Sequence, residues 1–387
     1  MNLIQQLRRD EYLEFREKNL EEFRRSKWEV LSLFRRNHWS PTLEASLDSV
    51  KELNKNGFDV NATNERYDLV VIDDGEELRV TKGSLTIKSL GLDDLEAYSK
   101  EYSFSFDKQM YYNNFTFLTA KEVKVGKGLR VKLVVFLDSY GSFKRKLYLE
   151  GDNVIDIEIR GGSALSSEHW MFEVREGEQA SVSILQDVAS GERLAMFDAI
   201  VNEDSTLNLL ASDLGGNNSK TRVNGFLKGH DSSLREVLVS FVGSRVMDVL
   251  STLYHSGSHT QGLLILKGVV EDKGILYSKG LIKVFKGASR SKTRLVDEAL
   301  VIGNGKVNSI PSLEVEDLNV EASHASFISH LDDEKVYYLL TRGLRRGLAE
   351  DLIVLGFIDE KLREFSKHEE FRLKTLTGVM ERLKGKA

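Results

Sequence analysis

Between residues 262 and 287 the chain reads GLLILKGVVEDKGILYSKGLIKVFKG, with glycine at 262, 268, 274, 280 and 287. An aliphatic residue follows each of the first four: Leu263, Val269, Ile275 and Leu281. Short strands turning at near-regular intervals suit a solenoid, in which each coil buries its inward face against the next. Two ordinary hairpins with glycine turns fit the same stretch. From about residue 66 to 330 the text is of one kind: runs such as YDLVVIDDGEELRV, LRVKLVVFLDS, ASVSILQDVASG, STLNLLASDLGG and REVLVSFVGS, divided by Gly, Asn, Asp and Ser. Each is long enough for a strand and too short for a typical helix. No long helical pattern separates them, which argues against a βαβ parallel sheet and leaves a sandwich, a barrel or a β-helix.

The flanks differ. The first forty residues are dense in both charge signs, and Tyr12, Phe15, Phe23, Leu31 and Phe34 recur close to helical spacing, which predicts amphipathic helices ending near Pro41. SLDSVKELNKNG predicts a further helix stopped by Gly57. At the other end Asp332 suits an N-cap, and Asp333 and Glu334 suit the positive end of the helix dipole. Val336, Leu339 and Leu340 form one apolar stripe before Gly343; Leu348, Leu352, Leu355, Ile358, Leu362 and Phe365 form a second; Phe371, Leu376, Val379 and Leu383 mark a last helix. The expected division is a helical region over 1–65, a β body over 66–330 and a helical domain over 331–387.

What is missing narrows the chemistry. The chain has no cysteine, which removes disulfides, thiolate nucleophiles and cysteine-held zinc or iron–sulfur sites by this chain alone. LGGNNSKT at 214–221 has Lys220 and Thr221, but Leu214 and Ser219 where a phosphate-binding loop requires glycine. There is no G-x-S-x-G elbow and no H-E-x-x-H. A net charge of -6 offers no pull toward nucleic acid or anionic membranes, and no apolar run approaches a membrane span. The opening MNLIQQLRRDEYLEF carries charges where a signal peptide has its apolar stretch, so a cytoplasmic location is expected.

Three features remain as candidates. His255 and His259 in YHSGSHTQ have the spacing of a helical ligand pair, although Ser-Gly-Ser between them argues for a turn. His324 and His330 precede the acidic helix start, as ligands, as catalytic groups or as plain surface or packed residues. Lys279, Lys283, Lys286, Arg290, Lys292 and Arg294 form an acid-free basic stretch, which could meet phosphates or an acidic partner or be a solvated outer face. Residue patterns alone give a scaffold-like profile with no evident active site.

The stretch from Pro311 to Gly343 resembles the C-terminal signature of the SufB/SufD family of iron–sulfur cluster assembly proteins, more the SufD branch. The family's order of elements is present as Pro311, Leu313-Glu314-Val315, Ser323-His324, Asp332-Asp333-Glu334, Tyr337-Tyr338-Leu339 and Arg342-Gly343. Upstream, His255 with the glycine-rich strands after it, and ASRSKT at 288–293, are similar to further family elements. The likeness covers roughly residues 225–358.

The resemblance implies a right-handed parallel β-helix core between N- and C-terminal helical domains. It implies a non-catalytic subunit that docks a SufC-type ABC ATPase on the C-terminal helices, with Tyr338, Arg342 and Gly343 as partner-binding positions. Pairing through the β-helix with a SufB-type scaffold, or with a second copy, is implied as well. His324 is the implied metal-binding residue, shared with a partner subunit at a transient iron–sulfur cluster; no cofactor is expected on this chain alone. Where many relatives carry cysteine two places before this histidine the chain has Ala322, and Ala325 rather than glutamate follows it, so sulfur ligands would come from the partner. A hexapeptide-repeat β-helix acyltransferase and a β-helix interaction scaffold without a cluster role are the alternatives.

Overall fold

The computed structural model describes residues 66–384, apart from short stretches between 76 and 164; the helices expected over 1–65 lie outside the described residues. Strands dominate. After β1 (Leu69–Asp73), β2 (Leu78–Lys82) and β3 (Thr86–Ser89), the chain runs from β4 (Thr119–Val125) to β19 (Glu321–His330) without a described helix. Alternate strands join a ten-stranded and a nine-stranded sheet. From β4 onward each strand pairs in parallel with the next but one, at offsets of 24 residues (Thr119 beside Phe143) to 31 (Lys292 beside Gln261). Two strands therefore make one coil, and about eight coils stack into a right-handed parallel solenoid. This hand is the one that right-twisted strands favour in parallel crossovers.

Side chains in register lie on the same face, so each inward position is a column along the solenoid axis. One column runs Leu209, Glu236, Leu264, Leu295 in the odd-numbered sheet. The leucines in it belong to the continuous apolar interior with Leu234, Leu253, Leu276 and Ile282. Burying such side chains supplies the fold's main driving force, roughly 25 cal/mol per Å² of apolar surface.

Three of the five glycines that suggested a solenoid do not make its turns. Gly262 and Gly268 lie inside β15 (Gln261–Glu271) and Gly280 inside β16 (Ile275–Val284); only Gly274 and Gly287 stand between strands. A Cβ on Gly268 would sit 2.4 Å from Leu276 Cδ2, and one on Gly280 would sit 2.3 Å from Leu295 Cδ1. These glycines leave room for leucines reaching across from the facing sheet. The six-residue spacing is thus not a coil repeat, which removes the basis of the hexapeptide-repeat alternative. Gly268→Ala is expected to cost about 1–3 kcal/mol by overpacking, read as a lower denaturant midpoint with unchanged slope; an unaltered midpoint would contradict this packing.

Three helices follow among the described residues: α1 (Asp333–Thr341), α2 (Arg346–Phe365) and α3 (Glu369–Lys384). The Asp332 side chain caps α1 by accepting from the backbone N–H groups of Glu334 and Lys335. α2 and α3 lie on the outer face of the odd-numbered sheet. Val354, Ile358, Leu362, Phe365, Phe371 and Val379 pack there with Val237, Val239, Phe241, Val269 and Leu300. Ion pairs line the seam, Lys267 with Glu298 and Glu360 and Arg235 with Glu364, and His368 Nδ1 lies 2.5 Å from a carboxylate oxygen of the buried Asp156. The second apolar stripe is split, because Ile358, Leu362 and Phe365 are buried while Leu348 and Leu352 face solvent. No described helix is long and apolar enough to cross a membrane.

Candidate functional site at the open end of the solenoid

The last coil is formed by β18 (Lys306–Val315) and β19. Each is the final strand of its sheet, bonded on one side to β16 or to β17 (Lys292–Ile302). The opposite edge of each presents backbone N–H and C=O groups that no described strand takes up, the arrangement that templates pairing with another chain. Exposed apolar side chains stand on these two strands and the connection between them: Ile310, Val315, Leu318, Phe327 and Ile328.

His324 sits on β19 in register with Leu295, an interior residue. It therefore continues the inward column and points across the mouth of the solenoid, where it is exposed only because no further coil covers it. Leu295 fills the space left by Gly280, and Gly280 is in register with Pro311, which places Pro311 opposite His324. Two residues along the same inward face, Ser326 contacts Ser309 at 2.8 Å between hydroxyl oxygens. Ser309 in turn donates to Asp297 at 2.6 Å, and Ser278 donates to the other carboxylate oxygen at 3.0 Å. Burial pushes the Asp297 carboxyl up from its ordinary range. This serine–aspartate link ties the two last strands together beneath the mouth and holds the His324 backbone in place. Among the described residues His324 and His330 belong to no group of three metal-ligating side chains. By itself His324 can offer one imidazole nitrogen to something that enters from outside.

The other sequence candidates separate. His255, at the end of β14 (Val246–His255), is fully buried. Its Nδ1 is 2.7 Å from Thr260 Oγ1 and its Nε2 is 3.1 Å from Thr293 Oγ1. Burial pushes its pKa down to about 4, so it is a neutral interior residue held by two hydroxyls. His259 turns outward at the next corner, and the pair does not converge. The basic stretch runs around one coil, over β16, the turn after it and the start of β17, and meets acids on the following coil, Lys283 with Glu314 and Lys292 with Glu321, each at 3.0 Å.

On the helical hairpin, Tyr338 is exposed, with the Arg342 guanidinium 5.1 Å from its ring centre and donating to its hydroxyl at 3.2 Å. Gly343 follows with φ of +89°, the left-handed conformation in which glycine ends a helix without strain. Exposed Tyr337, Leu348 and Leu352 on the same hairpin join these residues. Sequence reasoning missed Phe327 and Ile328 at the mouth. It placed Leu348 and Leu352 in one apolar stripe with the buried Ile358, Leu362 and Phe365, because helical periodicity does not say where the solenoid stops covering α2.

The SUF system FeS cluster assembly SufBD core domain matches residues 152–357, more than half of the chain. The iron–sulfur cluster assembly protein SufD of Escherichia coli K12 is 29% identical over 192 residues, covering 49% of this chain and 45% of that protein. SufBD family proteins of Staphylococcus saprophyticus and Staphylococcus epidermidis are each 22% identical over 254 residues, covering 63% of this chain and 55% of theirs. The chain spans about half the length of the curated relatives it matches. The matched core ends on α2, and so includes both the open end with His324 and the helical hairpin that follows. The chain belongs to the SufBD family of the SUF iron–sulfur cluster assembly system.

Proposed function

We propose that the chain is a non-catalytic, SufD-like subunit that pairs through the open end of its solenoid and docks a SufC-type ABC ATPase on the α1–α2 hairpin, in the cytoplasm. The observation that carries this reading is the placement of His324. The His324 imidazole faces the mouth of a solenoid whose last two strands offer unpaired edges and exposed apolar side chains. A chain with no cysteine cannot hold a persulfide or a thiolate-ligated cluster. A subunit with cysteines seated on this mouth would supply sulfur ligands, and His324 would complete the coordination of an iron on the cargo cluster, as imidazole does in mixed Cys/His centres. The absence of a phosphate-binding loop fits a subunit that borrows its nucleotide chemistry. Motion of the docked ATPase would reach the solenoid through α2, which packs along the odd-numbered sheet.

The test is His324→Ala in the assembled complex. The exposed position predicts unchanged folding and complex formation, with iron and sulfide loading reduced by about tenfold or more, the scale on which even groups supporting a metal's ligands act. Equal loading of the variant and wild-type complexes would remove His324 from the chemistry while leaving the pairing surface standing.

A further inference from the structure

One corner of the solenoid carries a second histidine group, far along the chain from His324. Asp204, Asp231, His259 and Arg290 occupy successive turns with φ between 52 and 58°, the left-handed region that Asp and His adopt more readily than most residues. Each backbone N–H donates to the turn of the next coil: Asp204 to His230 at 2.9 Å, Asp231 to Ser258 at 3.1 Å, His259 to Ser289 at 2.8 Å and Arg290 to Asn319 at 2.6 Å. The corner is a ladder with one left-handed residue per coil. On it His230 and His259, from neighbouring coils, bring their rings to 4.6 Å between centres.

We propose that His230, Asp231 and His259 form a binding site for a first-row divalent transition cation of the zinc class. The three candidate ligand atoms are His230 Nε2, His259 Nδ1 and the Asp231 carboxylate. Their separations are 3.3 Å between the two nitrogens, 3.0 Å from His230 Nε2 to Asp231 Oδ2 and 4.0 Å from His259 Nδ1 to Asp231 Oδ1. Bonds of about 2.0–2.1 Å at tetrahedral angles put ligand atoms about 3.3 Å apart, so small side-chain rotations close the set on one ion. Two imidazoles and a carboxylate are a donor set that borderline cations favour and that calcium or magnesium does not. The second nitrogen of His230 is also held: its Nδ1, 3.3 Å from His259 Nδ1 like Nε2, lies 2.8 Å from Ser258 Oγ. A proton on Nδ1 donated to that hydroxyl is the supporting contact that metal-bound histidines require, and it leaves the Nε2 lone pair free for an ion shared with the carboxylate. All three residues are solvent-accessible, so an ion enters directly and the fourth position stays open. One neighbour opposes the ion: Arg290 lies 3.5 Å from His259 Nε2, on the far side of the ring.

The experiment is calorimetric titration of the full chain with zinc chloride near neutral pH, with cobalt(II) as a second probe whose visible absorption reports tetrahedral binding. Saturable binding of one equivalent is expected in the wild type. His230→Asn and His259→Asn should each weaken it by about 100-fold, at or beyond the range seen when supporting groups are removed. Arg290→Gln should tighten it by about threefold through loss of a nearby positive charge in a solvated setting. His324→Ala and His330→Asn should leave it unchanged, which separates this site from the proposed role of His324. Binding that survives both histidine substitutions, binding lost in His324→Ala or His330→Asn instead, or no saturable binding would overturn the proposal.

Discussion

Tyr338→Asp combined with Leu352→Asp is expected to lower affinity for the SufC-type ATPase by at least 100-fold while leaving the solenoid folded. Both side chains are exposed on the α1–α2 hairpin, so neither substitution opens the core. An exposed aromatic flanked by arginine is the kind of residue that dominates protein–protein binding, and truncating one such anchor costs about 2–4 kcal/mol. Two charges placed where the partner must be desolvated add to that loss. Deleting everything after Asp332 is a poorer experiment, since it strips α2 and α3 from the apolar outer face formed by Val237, Val239, Phe241, Val269 and Leu300. The truncated chain would lose binding through unfolding alone. Affinity of the double variant, measured by calorimetry beside a thermal melt, separates the two causes; full affinity with an intact melt would exclude the hairpin as the docking surface.

The second large effect concerns Glu236, which sits fully buried in the inward column between Leu209 and Leu264. Ser251 donates to one carboxylate oxygen at 2.5 Å, and the other has no hydrogen-bond partner. Burial pushes the carboxyl from an ordinary 4.5 up to about 8. Between those values the unfolded chain releases this proton and the folded chain keeps it. The contribution of Glu236 is therefore least unfavourable below pH 4.5, and stability is lost as pH rises toward 8. At 1.36 kcal/mol per unit the shift corresponds to about 5 kcal/mol as an upper bound. Glu236→Leu extends the leucine column and removes the titration. The variant is expected to be more stable than wild type by about 3 kcal/mol or more above pH 8, with the difference shrinking as pH falls toward 4.5. Parallel stability–pH curves would show that the buried carboxyl is not the cause.

Much of the β body was legible because strands buried on one face and bounded by turn residues announce themselves locally. The solenoid was reached through the glycines at 262, 268, 274 and 280, yet two of these four, Gly268 and Gly280, are there because a leucine from the facing sheet occupies the space of a side chain, and Gly262 makes room for His255. Contacts across the interior join residues such as Gly268 and Leu276, and no rule of local turn chemistry reveals them. The coil repeat, 24 to 31 residues and drifting, is too irregular to appear as self-similarity. The same drift hid the pairing of His259 with His230. Their 29-residue separation is one coil, whereas the local spacing drew attention to His255, which the fold turns inward. His324 was singled out by its resemblance to a family signature, and its inward direction at an open mouth became visible only through its register with Leu295. That Leu348 and Leu352 would be exposed depended on where α2 leaves the sheet, which no periodicity encodes.

The most direct test of the account is mass-resolved size exclusion of this chain mixed with the SufC-type ATPase from the same source and a SufB-type subunit. One co-eluting assembly is expected. Tyr338→Asp with Leu352→Asp should remove the ATPase from this chain while keeping the pair of solenoids, and Phe327→Asp at the open end should separate the solenoids while keeping the ATPase bound. Separate elution of all three wild-type proteins would contradict it.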